Sequence, residues 1–154
     1  MSKETEKQYS VLKKKYKLPD FKEMEAELQL SDSEETNFLL KLIVRRIAEK
    51  LDFFAKMIEE ILQPDSSLYA MHEIRHFDEN EKHRLYKLYK ELMELSRNSI
   101  EVSLLNKEAA EVEFVLKFFI EWKNLKIELL AYAKKLKEAW QNELDIKDDV
   151  GYLG

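Results

Sequence analysis

Apolar residues recur every three to four positions along this chain, and the rhythm stops where a proline, an asparagine or a Ser/Asp cluster stands. It is strongest between residues 34 and 63. Leu39, Leu40, Ile43, Ile47, Leu51, Phe54, Ile58 and Ile61 form one stripe, widened by Val44, Ala48, Ala55 and Leu62. Lys41, Arg45, Arg46, Glu49, Lys56, Glu59 and Glu60 supply the solvated side. The pattern predicts a helix about 45 Å long at 1.5 Å per residue. Ser31 and Glu34 have capping-box spacing at its start. Pro64 ends it, because its ring clashes with a continuing helix and it has no N–H to donate.

Leu85, Leu88, Tyr89, Leu92, Leu95 and Ser99 predict a second long helix, opened by Asp78 with Glu81 three residues on. Ser96, Asn98, Ser99, Ser103 and Asn106 lower helix propensity, which predicts a break between Asn98 and Lys107 with Asn106 as a cap. The third long helix starts near Lys107. Val112, Val115, Leu116, Phe119, Trp122, Leu129, Leu136 and Trp140 form its first stripe, and Phe114, Phe118, Leu125 and Tyr132 a second. A helix apolar on two faces packs between two neighbours or extends into a partner. The second stripe therefore nominates Phe114, Phe118, Leu125 and Tyr132 as an interface, against the plainer reading that aromatics at helical spacing are core.

Shorter patterns fill the remainder. Tyr9, Leu12 and Tyr16 predict a helix within 3–17. Phe21, Met24 and Leu28 predict a short one after Pro19, and Leu68, Met71 and Arg75 one or two turns after Pro64. The fold class is all-α: a bundle of three long antiparallel helices with one or two short N-terminal or connecting helices. The organisation is a basic helix-prone segment over 1–17, a bundle over 18–142 and an acidic tail over 143–154.

Composition narrows the picture. Two glycines and two prolines in 154 residues leave too little punctuation for a β-rich fold. The absence of cysteine excludes disulfides, thiolate metal sites and a cysteine nucleophile. The polar start MSKETEKQYS lacks a secretory apolar region, and no stretch approaches the roughly 20 apolar residues of a membrane span, so a cytoplasmic protein without a membrane partner is expected. A net charge of −5 argues against general nucleic-acid binding. The exception is the leader, where Lys3, Lys7, Lys13, Lys14, Lys15 and Lys17 outnumber Glu4 and Glu6 and could touch phosphate.

One motif carries candidate chemistry. His72, Glu73 and His76 spell H-E-x-x-H, which on a helix puts two imidazoles on one face for zinc and a glutamate beside them to activate water. Arg75 inside the motif opposes a cation, and His83 lies one residue beyond the spacing of a third histidine ligand. Glu73 and His76 also give the E-x-x-H half-motif of di-iron bundles, without its second copy. With glycines only at 151 and 154, neither a phosphate loop nor a nucleophile elbow can be built.

The stretch LPDFKEMEAELQL, followed by ETNFLLKLIVRRIAEKLDFFAKMIEEILQPDSSLY, is similar in texture to small archaeal helical proteins of no assigned function. Over residues 18–97, the LP-led segment, the helix start at Glu34 to Asn37, Arg45 and Arg46 with Ile47, and FDENEKHRLYKLYKEL resemble the helical domain of GINS replication subunits. That resemblance implies a helical scaffold for other replication-fork proteins. The chain departs from it where a GINS subunit adds a small β-domain, since residues 107–142 read as one long helix.

The expected role is a non-enzymatic interaction or scaffold module, with no cofactor and with a protein partner or a second copy of itself. The alternatives are a zinc hydrolase built on His72, Glu73 and His76, and a GINS-like replication accessory subunit.

Overall fold

The computed structural model describes residues 2–32 and 38–141. Among them are six α-helices, one 3-10 turn at Leu30–Asp32 and no strand. The helices are α1 (Ser2–Tyr16), α2 (Phe21–Leu28), α3 (Leu39–Leu62), α4 (Leu68–Ile74), α5 (Glu79–Leu105) and α6 (Glu108–Gln141). The fold is all-α, and α3, α5 and α6 are the three long helices that pack together. No helix among the described residues is long and apolar enough to cross a membrane. Glu34 of the expected Ser31–Glu34 box and the acidic tail 143–154 lie outside the described residues. Ser31 itself donates, through its N–H and its hydroxyl, to the Glu25 carboxylate.

The helix ends follow local chemistry. Asp78 and Glu81 cap α5 reciprocally: the Asp78 N–H reaches Glu81 Oε1 at 3.1 Å, and the Glu81 N–H reaches Asp78 Oδ1 at 2.7 Å. These bonds hold the Asp78 carboxyl below the usual carboxylate range. α5 runs through its serines and stops only at Asn106, which takes the left-handed conformation with φ 51° and returns its N–H to the Val102 carbonyl. Only Asn106 and Lys107 separate α5 from α6, so the two reverse direction. Lys17 and Gln29 end α1 and α2 the same way, at φ 56° and 52°. Glycine normally takes this position, but the chain's two glycines are both near its end.

The chain divides into two compact units, and α3, α5 and α6 each give a segment to both. The first unit comprises Met1–Leu51 and Glu94–Trp122. The basic leader belongs to it: Tyr9 and Thr5 are buried, the Tyr9 ring packs on Phe21 at 5.5 Å, and its hydroxyl donates to the Pro19 carbonyl. Leu39, Leu40, Leu42, Ile43 and Val44 are all buried, while Lys41 and Arg45 keep one side of the first turns of α3 exposed. Lys41 bonds to both Asn106 and Glu111, which puts the starts of α3 and α6 at the same end of this unit.

The second unit comprises Asp52–Met93 and Lys123–Gly154. Its core is built from Ala55, Ile58 and Ile61 of α3, Leu85, Leu88 and Leu92 of α5, and Leu125, Leu129 and Tyr132 of α6. The sequence assigns the inner face of α4 to Leu68 and Met71. Instead Ala70 and His72 are buried and Leu68 is exposed. A helix of seven residues is too short for its own periodicity to choose a face, and its contacts with α6 choose instead.

Candidate interaction surface and the HEIRH motif

His72, Glu73 and His76 share one end of the second unit. His72 is buried, only 3% exposed. Its ring stacks on Trp140 at 4.2 Å, and its Nε2 lies 2.6 Å from the Ala139 carbonyl oxygen. A carbonyl accepts only, so Nε2 carries the proton and donates. Ala139 lies in the last turn of α6, whose carbonyls lack a partner within the helix. Glu73 completes the contact by accepting the Trp140 indole N–H at 2.9 Å. Thus two residues of the motif join α4 to the end of α6. The His76 ring stands 5.1 Å from that of His72. Among the described residues, no three His, Asp or Glu side chains gather closely enough to hold a metal ion.

The four residues nominated as an interface are a second correction. Phe114 and Phe118 in the first unit, and Leu125 and Tyr132 in the second, are all buried. The Tyr132 hydroxyl donates to the Met57 carbonyl of α3 at 3.0 Å, and its ring meets Phe77 at 5.7 Å. Burial, followed by the negative charges of Glu73 and Glu60, pushes Tyr132 ionisation above the ordinary tyrosine range. The other stripe of α6 is covered by the short elements. In the first unit Trp122 donates to Glu27 of α2 at 2.9 Å, and Lys50 bonds the same carboxylate at 2.8 Å while lying 5.0 Å over the indole. In the second unit Trp140 reaches α4. Most of each apolar stripe is buried, and each has its own partner within the chain.

Exposed apolar surface lies elsewhere. In the first unit a groove of about 620 Å³ runs between α1, the start of α3 and the α5–α6 turn, lined by Val11, Leu12, Phe38, Lys41, Asn106, Glu108 and Glu111 among others. A second groove of about 500 Å³ runs between α3 and α5, lined by Val44, Arg45, Ala48, Ser99, Ile100, Ser103 and Leu104, and it shares Lys41, Asn106 and Glu111 with the first. Small side chains at 48, 99 and 103 leave this space open. Ser99 turns inward and donates to the Ser96 carbonyl at 2.5 Å. Val11 is 68% exposed, Phe38 77% and Leu104 81%. Phe38 also holds φ at 61°, a left-handed conformation that is a genuine outlier for a bulky side chain. Glu111 is buried between the grooves and is neutralised by Lys41 at 3.3 Å. Helical periodicity marks which residues face inward, but not which apolar residues remain outside, so the sequence did not single out Phe38 or Leu104.

No protein-family model, no curated protein and no solved structure matches the chain.

Proposed function

We propose that the chain is a non-enzymatic helical interaction module, whose grooves in the first unit receive an amphipathic helix of a partner protein. The carrying observation is the pair of large apolar side chains left in solvent at those grooves, Phe38 and Leu104. An exposed aromatic in a strained backbone conformation is costly, and such strain is concentrated at binding sites. A groove between two helices floored by alanine and serine suits a helix that presents apolar anchors at three- and four-residue spacing. These polar groups are engaged in holding helices together: His72 on Ala139, Glu73 on Trp140, Glu27 on Lys50 and Trp122, and Glu111 on Lys41.

The test is a quantitative capture from native extract with the intact chain and with a Phe38→Ser/Leu104→Glu variant. Both positions are exposed, so the variant is expected to melt with the parent and to lose the captured partner. A variant that keeps its partner removes the grooves as the binding surface. Stoichiometric zinc in the purified protein, with peptide hydrolysis that His72→Phe abolishes, would move the reading to the hydrolase.

A further inference from the structure

We infer that the acidic segment 142–154 docks back, antiparallel, on the outer face of α6 between Ile127 and Lys137. This face lies within the second unit, and the inference does not rest on the grooves assigned to a partner.

Lys123, Ile127, Leu130, Lys134 and Lys137 follow one another along α6 at steps of four, three, four and three residues, and a helix keeps such residues on one face. All five are exposed, Ile127 at 66% and Leu130 at 55%. Lys126, also exposed, stands one turn before Leu130 on the same flank as Lys137. Glu138 lies on the opposite flank, and Glu128 further round the helix. Lys135 is paired with Glu81, whereas no ion pair among the described residues engages Lys123, Lys134 or Lys137. An apolar centre set among lysines fits an acidic segment that carries apolar anchors.

The chain supplies that segment directly after α6. NELDIKDDVGYLG carries Glu143, Asp145, Asp148 and Asp149 against Lys147. Ile146, Val150 and Leu153 stand four and three residues apart, the steps that separate Lys134, Leu130 and Ile127 read backwards. A segment returning along α6 at equal rise therefore sets Val150 on Leu130, Leu153 on Ile127, and Ile146 on the aliphatic stem of Lys134. An antiparallel helix pair brings the same flank of each helix together. Asp145 and Asp149 then meet the flank of Lys126 and Lys137, and Lys147 meets the flank of Glu138. Glu143 falls in the reversal, between Lys137 and Glu138, and Asp148 is left in solvent.

The reversal is within reach. Ile146 must sit about 10.5 Å back along α6 and about 9 Å across from it, roughly 14 Å in all. Five residue steps from Gln141 span up to about 17 Å. Spacing, charge and reach together single out this segment as the occupant.

The chain has no cysteine, so Gly154→Cys carries the only spin label. The label is expected to broaden the amide signals of Ile127 and Leu130 more than those of Tyr86 and Lys90, exposed on α5 of the same unit. In about 1 M salt, where the screening length shrinks to about 3 Å, that excess should fall at least about threefold. Lys126→Glu/Lys137→Glu should remove it likewise, and adding Asp145→Lys/Asp149→Lys should bring it back. These positions are exposed or lie beyond α6, and circular dichroism checks that each variant keeps its fold. A mixture of spin-labelled chains with isotope-labelled chains that carry no spin label should show no broadening. Equal broadening on α5, broadening of the lysine-rich α1 instead, transfer between chains in the mixture, or a charge reversal that restores nothing overturns the inference.

Discussion

Replacing His72 with phenylalanine isolates one bond. The ring is kept against Trp140, and the donor to the Ala139 carbonyl is removed. The carbonyl stays in a buried site with its donor gone. Leaving a buried acceptor unsatisfied costs about 1–3 kcal/mol. For a chain of this size each kcal/mol lowers the melting temperature by about 2–4 °C. His72→Phe is therefore expected to melt roughly 2–12 °C below wild type. His72→Ala should fall further, since it also loses the stacked ring. His72→Gln, which can still present an N–H, should recover part of the loss. Thermal denaturation followed at the helical circular dichroism band measures all three. The same assay separates the bond from a metal site. Zinc can take Nε2 of His72 only by displacing its hydrogen bond, so EDTA should leave the melting curve unchanged and added zinc should not raise it. The reasoning fails if His72→Phe melts with wild type. It fails equally if zinc stabilises wild type by the amount that ligand linkage requires and His72→Phe abolishes the gain.

Phe118→Asp is expected to unfold the chain or cost more than about 4 kcal/mol, since a fully buried phenyl is lost and a carboxyl takes its place; urea denaturation measures it. Gln29→Gly is expected to stabilise by roughly 0.5–1 kcal/mol, because the left-handed cap strains a residue with a Cβ by about 1–2 kcal/mol and glycine's greater unfolded-state freedom offsets part of the gain; a higher urea midpoint checks it. Tyr9 and Tyr132 each donate to a carbonyl, and burial raises both ionisations above the ordinary tyrosine value. The unfolded chain loses these protons near pH 10 and the folded chain resists, so stability is intact below about pH 10 and falls as pH rises beyond it. Denaturation across that range should show the fall, and Tyr132→Phe should lessen it.

The long helices were legible because each carries a stripe long enough to repeat. Asp78 and Glu81 marked the start of α5, and Asn106 its end, through side-chain chemistry that acts within a few residues. What covers α6 was not legible. Glu27 and Trp122 are 95 residues apart, and Glu73 and Trp140 are 67 apart, so neither pairing leaves a periodic trace. From the sequence the second stripe of α6 looked surplus, because the coverage supplied by α2 and α4 cannot be counted from the periodicity of α6. The apolar residues that do remain exposed on α6, Ile120, Ile127 and Leu130 among them, were hidden by the same difficulty. They add little to a helix that already reads as apolar on two sides.

The HEIRH spacing has a physical meaning that does not require zinc. An i, i+4 pair puts two imidazoles on one face of any helix, and what they do depends on what stands opposite. Opposite α4 stands the last turn of α6, with carbonyls that have lost their helical donors and an indole N–H that needs an acceptor. A histidine supplies the donor and the neighbouring glutamate the acceptor. The residue types that would chelate and hydrolyse are therefore the ones that close a helix end, His72 in a buried bond and Glu73 in an exposed one. A leucine at 72 would bury as much surface but would leave the Ala139 carbonyl without this donor, which is why a polar residue occupies a position that burial alone would assign to an apolar one.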